Sequence, residues 1–258
     1  MNRYIDWHFS VQKGMYFDNV LKTNAYTLYL SNIIEDSYWN YALLKGNGSL
    51  NELSLKNMES LFLAEKRVPC VYLISGRDVV TEILTSSGYN MMFEESFMVF
   101  QRKVAVVDKR HNCYIKRVKG EKDVADFMDV FISAYGGEKT IEQPYGELDK
   151  TYYEALLRSF ANDEKFYHFI CYVDSHATSV ATLCFCDGKG GIYNVGTDPC
   201  FRGKGFGSAV TSACIHQWES LKGDVLFLQT ETGSAVEKWY QKMGFESVFT
   251  GRGFEKRL

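Results

Sequence analysis

The apolar positions change period repeatedly along the chain, and each change marks the border of a helix or a strand. In the first hundred residues the spacing predicts a helix over 11–21, extended runs at 25–30 and 38–44, and a turn at Lys45-Gly46-Asn47-Gly48. Leu53, Leu55, Met58, Leu61, Phe62 and Ala64 then recur mostly at helical spacing, with Ser49 or Asn51 as candidate caps. The apolar run 68–74 reads as a buried strand whose proline stands at its start. A short helix over 77–86, the breaker Gly88, and a pair of strands around 89–93 and 96–100 complete this half.

Residues 101–112 are charged and poor in large apolar side chains, which suggests a linker between a unit 1–105 and a unit 112–258. The second unit opens with a strand at 113–118. Val124, Phe127, Met128, Phe131 and Ile132 follow at helical spacing after the candidate cap Asp123. Gly136-Gly137 ends that helix and begins an acidic loop with Glu138, Glu142 and Glu147, and a second helix is expected over 149–160. Three extended runs, 166–173, 178–186 and 191–197, are separated by turn residues and read as an antiparallel meander. A helix over 208–221 closed by Gly223, a strand at 225–230, and a helix carrying Ala235, Val236, Trp239, Tyr240 and Met243 up to Gly244 come next. Two last strands are expected to flank Thr250-Gly251-Arg252-Gly253.

Composition narrows the class. The chain of 258 residues is 46% apolar and 24% charged, enough to bury a sizeable core in one large or two ordinary domains. A net charge of −3 without runs of like charge gives no electrostatic case for a nucleic-acid partner. No stretch approaches membrane-spanning length and the first residues lack the apolar run of a signal peptide, so a cytoplasmic protein with no membrane partner is expected. The seven cysteines, an odd number with no C-x-x-C pair, read as reduced small hydrophobes rather than a disulfide framework or a metal site. His168 and His216 read as structural or solvated.

The chemistry concentrates at Thr197-Asp198-Pro199-Cys200-Phe201-Arg202-Gly203-Lys204-Gly205-Phe206-Gly207-Ser208, between an extended run and a helix. Three alternating glycines let the backbone approach a ligand and take positive φ. The donors at the start of the following helix favour an anion, with Arg202 and Lys204 beside them. A Walker loop would need Ser or Thr after the lysine, and Gly205 stands there; a dinucleotide fingerprint would be spaced G-x-G-x-x-G. Arg-Gly-x-Gly-x-Gly in this setting resembles the acetyl-coenzyme A pyrophosphate loop of the GCN5-related N-acetyltransferase (GNAT) superfamily. Trp239-Tyr240-Gln241-Lys242-Met243-Gly244-Phe245 is similar to that family's Leu-Tyr-x-Lys-x-Gly-Phe ending, and the β-α-α-β-β-β-α-β-α-β-β order of 112–258 is the family's order. The resemblance implies an α/β (α+β) fold with a mixed, mostly antiparallel sheet flanked by helices.

It also implies the activity: transfer of an acetyl group from acetyl-coenzyme A, a co-substrate, to a primary amine of a small molecule or peptide. Val195, Gly196, Thr197, Arg202, Gly203, Lys204, Gly205, Phe206, Gly207 and Ser208 would hold the cofactor, and Tyr240 would protonate the leaving thiolate. Glu138, Glu142 and Glu147 are candidates for the base, and an acidic lip favours a cationic acceptor. One departure is Gly233, where the family often has a cofactor-contacting Asn. Two other readings stay open at this point: a non-catalytic acyl-coenzyme A-binding regulator, and a transferase of another acyl group.

The first half echoes the second. Val71–Ile74, the stripe Val79-Val80-x-x-Ile83-Leu84 and Gly88-Tyr89 align at one constant offset with 227–230, Ala235-Val236-x-x-Trp239-Tyr240 and Gly244-Phe245. Leu84 stands where Tyr240 stands, and nothing near 46–60 resembles the glycine loop. A degenerate tandem copy is expected, without phosphate cradle or acid.

Overall fold

A computed structural model describes residues 2–45, 50, 52–74, 78–101, 113–136 and 148–256. In chain order the elements are α1 (Asn2–Gln12), β1 (Asn19–Lys22), β2 (Tyr26–Leu30), β3 (Tyr41–Leu44), α2 (Glu52–Ala64), β4 (Cys70–Ile74), α3 (Asp78–Ser86), β5 (Tyr89–Phe100), β6 (Tyr114–Arg117), α4 (Glu121–Tyr135), α5 (Lys150–Ser159), β7 (Phe166–Val173), β8 (His176–Cys186), β9 (Lys189–Thr197), α6 (Phe206–Ser220), β10 (Val225–Glu231), α7 (Ala235–Lys242) and β11 (Phe245–Lys256). Two compact units share them: one of residues 1–98, 229–240 and 246–258, the other of 99–228 and 241–245.

In the first unit the strands follow the order β1-β2-β3-β4-β11-β5. β1, β2 and β3 pair antiparallel, and β3 pairs parallel with β4 after the crossover helix α2. In the second unit the order is β10-β9-β8-β7-β6; β7, β8 and β9 form an antiparallel meander, and β9 pairs parallel with β10 after α6. A parallel neighbour requires such a crossover, so the same succession of hairpins, crossover helix and parallel strand occurs twice. The echo read from the sequence falls on β4-α3-β5 and β10-α7-β11, the same place in each succession. Leu84, the counterpart of Tyr240, is fully buried in a core with Leu55, Met58, Phe62, Val71 and Leu73.

Four expectations are corrected. The helix expected over 11–21 is α1, which ends at Gln12; Gly14 at φ 91 turns the chain into the exposed edge strand β1. The pair of strands expected over 89–100 is one strand, β5. The two strands expected around Thr250-Gly251-Arg252-Gly253 are likewise one, β11, whose residues 251–255 pair antiparallel with β4. The glycines there serve clearance rather than a turn. A Cβ on Gly253 would stand 2.2 Å from the Phe93 ring, and one on Gly251 would collide with the Tyr72 hydroxyl. A second clearance pair lies in the other unit, where Cβ atoms on Gly190 or Gly223 would strike Trp218. The left-handed residue that ends α6 is Lys222, at φ 56, not Gly223.

Each unit buries a neutral histidine. His8 stacks on Trp39 and accepts from the Gln229 amide at 2.6 Å; His168 is buried among Phe127 and Phe160. Desolvation pushes each imidazole down to about 3, opposed by one hydrogen bond at each and, at His168, reinforced by the Arg117 charge. The unfolded chain takes up a proton near pH 6.5 that the folded chain refuses, so this stability is present above pH 6.5 and is lost as pH falls towards 3. Urea unfolding at pH 7 and at pH 5 is expected to differ by about 2 kcal/mol per histidine. A flat profile across that window would contradict neutral burial.

Candidate active site

The second unit assembles its site around β9, the loop after it, and the start of α6. β9 pairs with β10 only from Val225↔Lys189 to Phe227↔Gly191, then continues to Thr197 beside β8. Between Thr182↔Tyr193 and Val180↔Gly196 the register slips, so Ala181 of β8 faces both Asn194 and Val195. This is a β-bulge, with Asn194 at φ 54 in the left-handed conformation that a β-bulge of this kind usually gives to glycine. Tyr135, at the end of α4, donates its hydroxyl to the Val195 carbonyl at 2.8 Å. Gly196 lets α4 approach closely: a Cβ there would lie 2.8 Å from that of Ala134.

The loop after β9 is built by its own polar residues. Asp198 caps the short 3-10 turn Pro199–Phe201 by accepting from the Cys200 N–H at 2.9 Å, and its other oxygen accepts from Ser133 at 2.7 Å. Thr197 accepts from Ser179 at 2.8 Å. The Arg202 guanidinium donates to the carbonyls of Thr197 and Ala134, at 3.3 and 3.1 Å; the second lies in the last turn of α4, where a cation is favoured. Lys204 folds back on the Cys200 carbonyl at 3.0 Å and over the Phe201 ring. Both basic side chains therefore brace the loop backbone, a role that composition and spacing did not indicate.

Gly203 and Gly205 take φ of 74 and 89. A Cβ on Gly203 would meet nothing within 4 Å, so conformation rather than space demands the glycine there. Gly205 is the N-cap of α6 and no side chain caps that end. The helix begins at Phe206, two residues before the expected Ser208, and its ladder starts with the Ala209 N–H on the Gly205 carbonyl at 3.1 Å. The amides of Phe206, Gly207 and Ser208 precede the ladder and point along the axis out of the helix end, which also carries the positive end of the dipole. This arrangement suits an oxyanion with several oxygens, such as a pyrophosphate.

Tyr240 lies on α7, buried at 6% exposure with its ring centroid 4.4 Å from that of Trp239. The start of that helix is built by Ser234 and Glu237. Ser234 Oγ accepts from the Glu237 N–H at 3.0 Å, and the Glu237 carboxylate accepts from the Gly233 N–H and from Ser247, each at 2.7 Å. Gly233 has φ 75, a conformation that glycine and asparagine share, which accounts locally for the departure at that position. The candidate bases Glu138, Glu142 and Glu147 lie outside the described residues.

Residues 164–247 match the family model of the acetyltransferase (GNAT) domain. The mycothiol acetyltransferase of Mycolicibacterium gilvum (strain PYR-GCK) is 38% identical over 76 residues, which are 27% of this chain and 25% of that protein; the match spans about a quarter of the relative. Among solved structures, a GCN5-related N-acetyltransferase from Kribbella flavida has a TM-score of 0.71 at 14% identity, over 98% of this chain and 95% of that one. A tandem GNAT protein from the clavulanic acid biosynthesis pathway has a TM-score of 0.61 at 9% identity, over 92% and 81%. Residues 164–247 thus match a GNAT acetyltransferase domain, and the fold is one shared with solved GNAT proteins, a tandem GNAT protein among them.

Proposed function

We propose that the chain is an acetyl-coenzyme A-dependent N-acetyltransferase acting on a primary amine of a small molecule or peptide. The observation that carries this reading is the start of α6: a helix end without a side-chain cap, opening on left-handed Gly205 at the end of the loop that follows a bulged strand. In this reading residues 112–258 are the catalytic copy and residues 1–105 a degenerate one. Arg202, Gly203, Lys204, Gly205, Phe206, Gly207 and Ser208 hold the pyrophosphate through backbone amides and a braced loop. Val195, Gly196 and Thr197, on the part of β9 beyond its pairing with β10, offer backbone groups to the pantetheine arm.

The amine attacks the thioester carbonyl carbon, the carbon–sulfur bond breaks, and the sulfur takes a proton from Tyr240 while the amine loses one to a carboxylate or water. The partial relative is named an acetyltransferase, which favours acetyl over another acyl group. All seven cysteines are free, in keeping with a reducing compartment, and we place the protein in the cytoplasm.

Release of coenzyme A thiol from acetyl-coenzyme A, measured against amines, aminoglycosides, polyamines and peptides, tests the reading. Acceptor-dependent release with one class is expected. Tight binding without release across the panel would replace the enzyme by a binding module, and no binding would remove both.

A further inference from the structure

Behind the bulge of β9 runs a chain of polar side chains, buried from Thr182 to Ser159, that the proposed chemistry does not use directly. His168 on β7 and Thr182 on β8 are opposite each other in register, and Asn194 follows Tyr193, the partner of Thr182 on β9. Asn194 Nδ2 donates to Thr182 Oγ1 at 3.1 Å, Thr182 Oγ1 and His168 Nδ1 are 2.9 Å apart, and His168 Nε2 is 3.1 Å from Ser159 Oγ. Ser159 Oγ in turn donates to the Leu156 carbonyl at 2.6 Å. Thr182 and Ser159 are fully buried, and His168 is 4% exposed.

For a neutral imidazole, only one assignment of protons gives each bond a donor and an acceptor. Ser159 spends its single hydrogen on Leu156, so it must accept from His168 Nε2–H. A neutral imidazole then has a bare Nδ1, which accepts the Thr182 hydrogen, and the Thr182 oxygen is left to accept from Asn194. The Phe160 ring stacked on the imidazole at 4.0 Å, and the Phe127 edge at 5.3 Å, hold its plane. The chain ends on the one residue of the bulge whose φ is unfavourable for most side chains.

We propose that His168, as the Nε2–H tautomer, is a positioning residue for acyl transfer. Through Thr182 it orients Asn194 and so fixes the bulge whose backbone amides face the thioester. The inference rests on the cofactor reading above. A buried histidine serving packing alone would fix no acyl-specific response, so the two roles separate experimentally.

The test uses the full chain labelled with nitrogen-15, titrated separately with acetyl-coenzyme A and with coenzyme A, for wild type, Thr182→Val, Thr182→Ser and Asn194→Ala. Long-range proton–nitrogen correlation of the His168 ring is expected to show hydrogen on Nε2 only, and an Nδ1 resonance that shifts in Thr182→Val as its donor is removed. In wild type both ligands should move the amides of residues 203–208, and acetyl-coenzyme A should additionally move those of Asn194 and Val195. Thr182→Val and Asn194→Ala should lose the additional response and bind acetyl-coenzyme A up to about tenfold more weakly, with coenzyme A within about twofold of wild type. Thr182→Ser, which restores the hydroxyl, should recover both. Loop amides that ignore both ligands in wild type would overturn the cofactor reading and the inference with it. A responsive loop with a His168 hydrogen on Nδ1, or with an acyl-specific response that survives in both Thr182→Val and Asn194→Ala, would overturn the inference alone.

Discussion

Replacing Gly205 by tryptophan is expected to abolish coenzyme A binding in titration calorimetry. Gly205 sits at φ 89, ψ −2 at the head of α6, where no side chain caps the helix. An L-residue there costs about 1–2 kcal/mol in backbone strain, felt mainly as a lower melting temperature. The larger effect is on the ligand. An indole at the helix end would occupy the proposed pyrophosphate site, and losing two charge-assisted hydrogen bonds at about 1.5–3 kcal/mol each would weaken binding by more than about 100-fold. Gly203→Ala separates the two effects, because its Cβ meets nothing within 4 Å while its φ of 74 carries the same strain. It should lower stability and weaken binding far less. Unchanged affinity in Gly205→Trp would remove the loop from the site.

Tyr240→Phe is expected to lower kcat by about 10² or more, the range for losing a positioned proton donor, with coenzyme A affinity unchanged. The ring is buried at 6% exposure against Trp239, and phenylalanine keeps that packing. If the hydroxyl were only structural, activity would survive and stability would move by about 1 kcal/mol through one lost hydrogen bond. Full activity at saturating acetyl-coenzyme A would leave water, or the bare thiolate, as the route for the leaving group. Leu84 supplies the contrast: at the equivalent place in the first copy it is fully buried and has no proton to give.

Both predictions concern residues that stand out in the amino-acid sequence. Gly203, Gly205 and Gly207 alternate between a strand pattern and a helix pattern, and Tyr240 precedes Gly244 in a recognisable ending. Local signals of this kind depend on residues a few positions apart, and the chain obeys them: the meander β7-β8-β9, the helix α6 and the strands β4 and β10 lie within a few residues of their expected places. The echo between 71–89 and 227–245 is legible for the same reason, since each copy repeats one strand-helix-glycine pattern.

Identity between distant residues is beyond the reach of such a pattern. Gly251 and Gly253 read as a turn because glycine in isolation is a breaker; the Tyr72 hydroxyl and the Phe93 ring, far away in sequence, make them positions of close approach inside one long strand. Asn194 reads as an ordinary strand residue, and only the register of β9 against β8 shows the inserted residue and its left-handed backbone. His168 alternates correctly and passes as structural; its place opposite Thr182 and beside Ser159 is a matter of three elements meeting. The GNAT-like pattern, the alternating glycines and the candidate acid are therefore written in the chain itself, because backbone conformation and hydrophobic period are set by neighbours along it. The bulge, the bracing of Arg202 on Thr197 and Ala134, and the polar chain behind β9 exist only once the chain is folded, because hydrogen bonds and clearances are set by neighbours in space.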